Sequence, residues 1–285
     1  MRYLKIQDSP KKQICYKIAD SYYCSDTNID GLEYLIQAHR RVRLSKTPQK
    51  PSPITKEIYS KDTLIGENNY PLTVMKNDLE NYHINVKSDN YVIDNDCISA
   101  DISTIDMTIL MGPVFILHLA KNQVFCLHAS AFLLNETCFI LMANSGTGKS
   151  TVARYMDKQE SAQRLADDIV VLKIINDSLT LMPSFPQLKL RQEQQYKGKD
   201  ICQKTILLFA KKSNDETSLS KIDGFNGMKK LIEHSVASKL FAQKELDSHL
   251  KFCHKTSELS TAYYLKYQHS EKSLPQLYQV LSDIA

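Results

Sequence analysis

The spacing of apolar residues changes along this chain. Residues 16–24 alternate apolar and polar, the two-residue period of half-buried strands, and short apolar stretches broken by Asn and Asp continue to Val92 and Ile93. Residues 30–38 are predicted as a short helix and residues 45–56 as a proline-punctuated basic loop. Ser103, with Asp106 three residues on, supplies an N-cap pattern for a core helix over 105–121. Three apolar runs follow at 124–127, 131–134 and 137–142, the last two joined at Asn135-Glu136 as a hairpin. Residues 150–158 read as a helix. Strands are predicted over 169–175 and 179–182, around an Asn176-Asp177-Ser178 turn, and again over 205–209 and 263–267. Met228, Leu231, Ile232, Ala237, Leu240 and Phe241 fall on one face of a long helix, and Leu274, Leu277, Tyr278 and Leu281 do so near the carboxyl end. There is no internal repeat.

Two parts follow from this pattern, a small β-rich region over 1–95 and a larger domain over 96–285. In the larger one, three strands meet without intervening helices, which argues for a mixed sheet rather than strict strand–helix alternation. The expected class is α/β, of the α+β mixed-sheet kind.

With 285 residues the chain can bury a substantial core. Its charged residues are 24% of the total and its net charge is only +4, too mild a balance for nucleic acid as the main partner. Seven cysteines are scattered without a C-x-x-C pair, as expected of reduced thiols in the cytoplasm. The first residues hold no apolar signal core, and the longest apolar run, 107–120, is too short to span a bilayer and contains Gly112-Pro113. A soluble cytoplasmic protein without a membrane partner is the expectation.

The chemistry concentrates between residues 128 and 168. Ala143-Asn144-Ser145-Gly146-Thr147-Gly148-Lys149-Ser150-Thr151 has the form of a phosphate-binding loop, with alanine where the usual pattern starts on glycine. Gly146 and Gly148 permit backbone N–H groups to converge on an anion. Lys149 follows at once, within reach of the β- and γ-phosphates of ATP, and the Ser150 hydroxyl is placed to hold Mg²⁺. A predicted strand enters the loop and a predicted helix leaves it, which is the order that such a site requires. The contacts to nucleotide are assigned to Asn144, Ser145, Gly146, Thr147, Gly148, Lys149, Ser150 and Thr151.

His128-Ala129-Ser130 precedes the loop and Ala166-Asp167-Asp168 follows it. This three-part pattern resembles the HPr kinase and phosphoenolpyruvate carboxykinase class of P-loop folds. The match is strong over about 50 residues, and weaker similarity extends through 183–191 and the helical tail. The phrasing of Met111-Gly112-Pro113 with Leu127-His128-Ala129-Ser130-Ala131 looks most like HPr-kinase-related enzymes that phosphorylate a serine of a lasso peptide precursor. The resemblance implies an HPr-kinase-like P-loop core over 96–285 and an ATP- and Mg²⁺-dependent serine kinase. Its partner would be a peptide or protein with an acceptor serine. The HPr kinase signature segment that normally follows the aspartate pair is absent, so HPr itself fits less well.

By resemblance Asp167 is the base and Asp168 joins Ser150 at the metal. Neighbouring residues at a strand end point in different directions, so the order of roles can be swapped. His128 is a candidate for orienting the phosphoryl group or the acids, and Lys189 and Arg191 are candidates for a cation clamping the transferred phosphate. His249, Cys253 and His254 share helical spacing but lack a fourth zinc ligand. The basic run at 39–43, with Lys46, Lys50 and Lys56, reads as a solvated loop rather than a site for an acidic peptide. Three other readings stay open. They are an HPr-type kinase/phosphorylase, a nucleotide-binding regulator without phosphotransfer, and a small carboxykinase-like enzyme. Self-association into a homo-oligomer is also left open.

Overall fold

The computed structural model describes residues 14–19, 21–25, 42–45, 54–61, 72–77, 81–86, 89–94, 97–101, 107–183, 185–191, 194–196, 198, 201, 204–214, 216–268 and 270–285. The chain divides into two compact units, Met1–Leu110 and Met111–Ala285. Residues 30–38, Ser103, Asp106 and most of the basic run at 39–50 lie outside the described residues. None of the described helices is long and apolar enough to cross a membrane.

The first unit carries an eight-stranded sheet. Its strands are β1 (Ile14–Ile18), β2 (Ser21–Ser25), β3 (Val42–Ser45), β4 (Ile54–Lys61), β5 (Leu72–Asn77), β6 (Tyr82–Val86), β7 (Asp89–Ile93) and β8 (Cys97–Asp101). They lie in the order β1-β2-β3-β8-β7-β6-β5-β4. The sheet runs past residue 95, because β8 pairs with both β7 and β3.

The second unit is built on a seven-stranded mixed sheet. It comprises β9 (Phe125–Leu134), β10 (Thr137–Met142), β11 (Ala162–Ile175), β12 (Ser178–Leu181), β13 (Thr205–Lys212), β14 (Ser218–Ile222) and β15 (Thr261–Tyr267). Their order is β12-β11-β9-β10-β13-β15-β14. β10, β13 and β15 run parallel, whereas β9, β11, β12 and β14 join antiparallel. This is the mixed α/β architecture expected. The turns at Asn135-Glu136 and Asn176-Asp177 hold both residues at positive φ, 46° and 64° in the first and 49° and 58° in the second. That geometry matches the right-handed twist of the strands that each turn joins.

Helix α1 (Met107–Ile109) is followed by a wide turn over Leu110–Val114 and by α2 (Phe115–Lys121). The single helix expected over 105–121 is therefore broken, at Gly112 (φ −85°, ψ −114°). The pyrrolidine ring of Pro113 disfavours helical geometry in the residue before it, and glycine accommodates the alternative. Beyond these come α3 (Lys149–Met156), α4 (Gly224–His234), α5 (Gln243–Leu259) and α6 (Leu274–Ser282). On one face of the sheet, Phe132, Leu134, Phe139 and Leu141 bury against Val152, Ala153 and Met156 of α3 and Leu274, Leu277 and Leu281 of α6. Phe132 and Phe139, cross-strand partners, stack with centroids 5.4 Å apart. On the opposite face Phe125 meets Phe252 of α5 at 4.9 Å.

Three further differences from the expected elements have physical reasons. The runs at 124–127 and 131–134 are one strand, since His128 to Ser130 keep their ladder partners in β11, with His128 lining a cavity and the Ser130 hydroxyl donating to Asp167. β11 starts at Ala162 rather than 169; its early polar residues mask the alternation, but Arg164, Asp167 and Asp168 among them are partnered side chains. The long helix expected through Phe241 stops at His234. There Ser235 bridges Leu127 and the Val236 N–H donates to the Cys126 carbonyl, filling the edge of β9 that β10 leaves when it turns into the loop. Ala237 then adopts φ 56°, which no helix tolerates.

Candidate active site

The loop from Ala143 leaves the end of β10 at the sheet centre and feeds α3. Gly146 and Gly148 stand at φ 73° and 95°, the left-handed region that glycine enters at little cost. Ala143 needs no such freedom: it is buried, and its carbonyl accepts from the Lys149 ammonium at 2.8 Å. That is why alanine serves at the first position of the pattern. Thr147 closes the turn, its hydroxyl donating to the Asn144 carbonyl at 2.8 Å, while its own carbonyl accepts from the buried Tyr267 hydroxyl at 2.6 Å. Burial pushes the Tyr267 phenol up to about 12, so it remains a donor at neutral pH.

Asp167 and Asp168 lie inside β11, opposite Ser130 and Ala129 of β9. A regular strand would send two consecutive residues to opposite faces. Asp168 has φ 94°, which breaks the alternation, and both carboxylates line the same cavity. That cavity, of about 290 Å³, is also lined by His128, Ser145, Gly146, Gly148, Lys149, Ser150, Thr151 and Lys189.

Asp167 is buried and takes two hydroxyl donors on one oxygen, Ser130 and Ser150, each at 2.8 Å. Its other oxygen faces the Arg164 guanidinium at 4.0 Å. Residues three apart share a face of this strand because the register slips between Arg164 and Ala166, leaving Leu165 as the extra residue of a bulge. Asp168 accepts from Lys189 at 2.7 Å and faces the Nδ1 of His128 at 3.4 Å. The Nε2 of His128 lies 3.1 Å from the Lys149 ammonium. An ammonium only donates, so Nε2 is the acceptor and the ring proton sits on Nδ1, toward Asp168. Burial, then the charge of Lys149, hold the His128 pKa below its usual value, in keeping with a neutral ring. Burial likewise lowers that of Lys149, against the opposing pull of Asp168.

Of the residues singled out from sequence, the structure brings His128, Ser145, Gly146, Gly148, Lys149, Ser150, Thr151, both aspartates and Lys189 to one cavity, while Asn144 and Thr147 of the loop do not line it. Arg191 is exposed and absent from its lining; its backbone N–H donates to the Gln194 side chain at 3.1 Å. His249 and Cys253 meet at 3.3 Å, but His254 pairs with Glu258 instead.

Four supporting residues escaped the sequence reading: Ser130 and Arg164, which hold Asp167, Tyr267, which holds Thr147, and Gln187. The Gln187 amide accepts from the Asp167 N–H and donates to the carbonyls of Ile169 and Phe185, each at 3.0 Å. None belongs to a motif with its own spacing. Ser130 stood inside a stretch strongly marked by the resemblance and Gln187 inside the weaker one at 183–191.

The site's donor set fits a magnesium ion held jointly with nucleotide. Ser150 and the two aspartates offer hard oxygens, whereas no group of three His, Cys, Asp or Glu gathers among the described residues to form an all-protein cage. Mg²⁺ is commonly bound in that shared manner, by one or two carboxylates, water and phosphate oxygens.

No family model matches the chain, and no curated protein matches it. Among solved structures it is similar to the HPr(Ser) kinase/phosphatase from Coxiella burnetii, at 12% identity and a TM-score of 0.32. That alignment spans 56% of this chain and 88% of the other.

Proposed function

We propose that this chain is an ATP- and Mg²⁺-dependent kinase that transfers the γ-phosphoryl group to a serine hydroxyl of a peptide or protein. The acceptor favoured by the motif resemblance is the precursor of a ribosomally made, lasso-type peptide. One observation carries the reading: the phosphate-loop Lys149 and Ser150 share a cavity with two adjacent carboxylates, one of them in direct contact with Ser150 at 2.8 Å. A cytoplasmic location goes with this use of ATP.

Phosphoryl transfer asks the protein mainly for positioning and charge neutralisation. The loop N–H groups at the start of α3 and the Lys149 ammonium bind the phosphate tail, Lys149 exchanging the Ala143 carbonyl and His128 for phosphate oxygens. Mg²⁺, when bound, neutralises the β- and γ-phosphates, and Ser150 with Asp167 would hold it. The contact between Ser150 and Asp167 favours the swapped order of acids, with Asp167 on the metal side and Asp168 as base. Asp168 is the more exposed of the two, its side chain 26% accessible against 5% for Asp167. As the serine Oγ bonds to the γ-phosphorus and the bond to the ADP oxygen breaks, the serine proton passes to Asp168. His128 holds Asp168 in place, and Lys189, paired with Asp168 at 2.7 Å, is the candidate cation for clamping the transferred group.

The test is to incubate the protein with Mg²⁺, ATP and serine-containing peptides and to weigh the peptides by mass spectrometry. The expected result is a phosphate on serine, with Asp168→Asn abolishing transfer while retaining nucleotide affinity and Asp167→Asn losing metal-dependent nucleotide binding. Tight ATP binding with no phosphate transferred to any peptide or protein would leave a regulator instead of a kinase.

A further inference from the structure

We propose a second anion site in the catalytic unit, a cavity between the start of β9, the end of β11 and α5 that takes a small organic polyanion. Its volume is about 540 Å³, and it shares no lining residue with the phosphate-loop cavity. Its lining includes Lys173 of β11, Lys251 and Lys255 of α5, the apolar rings of Phe125 and Phe252, and Asn122. The size falls in the range of small-molecule sites, which are concave, largely apolar and fitted with a few converging polar groups.

The charge balance points to the ligand. Lys255 faces Asp177 at 3.3 Å, a carboxylate that is itself 86% exposed. Neither Lys173 nor Lys251 has a carboxylate partner among the described residues. Three ammonium groups around one concavity, against a wall of low dielectric, focus a positive potential that solvent alone balances poorly. A ligand with two or more phosphate or carboxylate groups bridges the lysines, and its carbon skeleton covers the aromatic wall. The site is distinct from the γ-phosphate position yet mechanically close to it. Phe125 and His128 are three residues apart on β9, about 10 Å at a strand's rise. On the α5 side, His249 bonds the Ser235 hydroxyl at 2.7 Å, next to the Val236 N–H that pairs with β9.

The experiment uses the full chain carrying Lys149→Ala, which weakens the phosphate loop, titrated calorimetrically with pyrophosphate and, separately, with citrate at low ionic strength. Saturable binding of at least one probe is expected, and which one binds tells a phosphate ligand from a carboxylate one. Adding Lys173→Ala and Lys251→Ala should weaken that binding about tenfold or more, and arginine at both positions should restore it. Thermal unfolding read alongside certifies the fold of each variant. If neither anion binds, or binding is indifferent to both lysines, the proposal is overturned. Neither outcome depends on whether the protein phosphorylates serine, so this test and the kinase test fail separately.

Discussion

The Gln187 side chain does the work of a missing strand, and replacing it should cost more than any single hydrogen bond. β12 pairs with β11 only over residues 172–175, and the Met182 N–H adds one bond to the Val171 carbonyl. On that same edge the next outward groups are the Ile169 carbonyl and the Asp167 N–H. The Gln187 amide meets both, and its third bond ties it to the Phe185 carbonyl. Its own backbone is anchored by Gln195, whose side chain accepts from the Gln187 N–H at 3.0 Å and donates to the Gln187 carbonyl at 2.8 Å. Gln187→Met keeps the shape and removes all three amide bonds. At about 0.5–1.5 kcal/mol for each bond, plus about 1–3 kcal/mol for a buried N–H left unpaired, the expected loss is about 2.5–7.5 kcal/mol. Urea denaturation with an unchanged m-value reads this as a shift of midpoint. Because the freed N–H belongs to Asp167, metal-dependent nucleotide affinity should fall as well. A Met variant within about 0.5 kcal/mol of the parent would refute the view that this amide holds the acidic strand. Gln187→Glu adds a second arm. It keeps an acceptor for Asp167 N–H but turns oxygen against two carbonyls, so it should be no more stable than the Met variant.

Three further outcomes are expected. Lys149→Ala should weaken ATP binding about 10–100-fold, the worth of a charge-assisted contact, as measured by calorimetry. Glu136→Gly should stabilise the protein by about 1 kcal/mol and raise its melting temperature by about 2–4 °C, because φ 64° at this hairpin position suits glycine better than glutamate. Burial holds the His249 pKa near 4 against the ordinary 6.5. A depressed folded-state pKa gives stability that is whole above pH 6.5 and lost as pH falls toward 4. The advantage of the parent over His249→Gln should therefore shrink across that window, by up to about 3 kcal/mol, in urea titrations at each pH.

Local chemistry was legible and distant pairing was not. The loop, with its glycines, lysine and serine, and the two Asn-initiated hairpin turns depend on consecutive residues, so their spacing carries their geometry. The elements that failed to show themselves depend on partners far along the chain. β14 reads as Ser-Leu-Ser-Lys-Ile, too polar for a strand until β15 is seen to pair with it. Helix α4 has an apolar face that continues on paper through Phe241, but the edge of β9 draws Ser235 and Val236 out of the helix. In the candidate site, the residues that would touch phosphate could be named, whereas those holding them could not. Tyr267 reaches Thr147 across 120 positions and Ser130 reaches Asp167 across 37.

The acidic strand shows why pattern alone misreads such a site. Two irregularities lie within five residues of β11, the bulge at Leu165 and the positive φ of Asp168. Each works against strand alternation, and a non-glycine residue at φ 94° costs on the order of 1–3 kcal/mol. Together they achieve what an ideal strand forbids. The bulge turns Arg164 to the same side as Asp167, and the strained φ turns Asp168 to the same cavity as its neighbour. The compensation is also local: Lys189 and His128 hold Asp168, while Ser130, Ser150 and Gln187 hold Asp167. Two carboxylates crowded beside a cationic loop would repel each other without those partners. Pulling the pair onto one face is therefore a joint property of six side chains drawn from four segments; the motifs name His128, Ser150 and Lys189, whereas Ser130, Arg164 and Gln187 show themselves only in the folded chain.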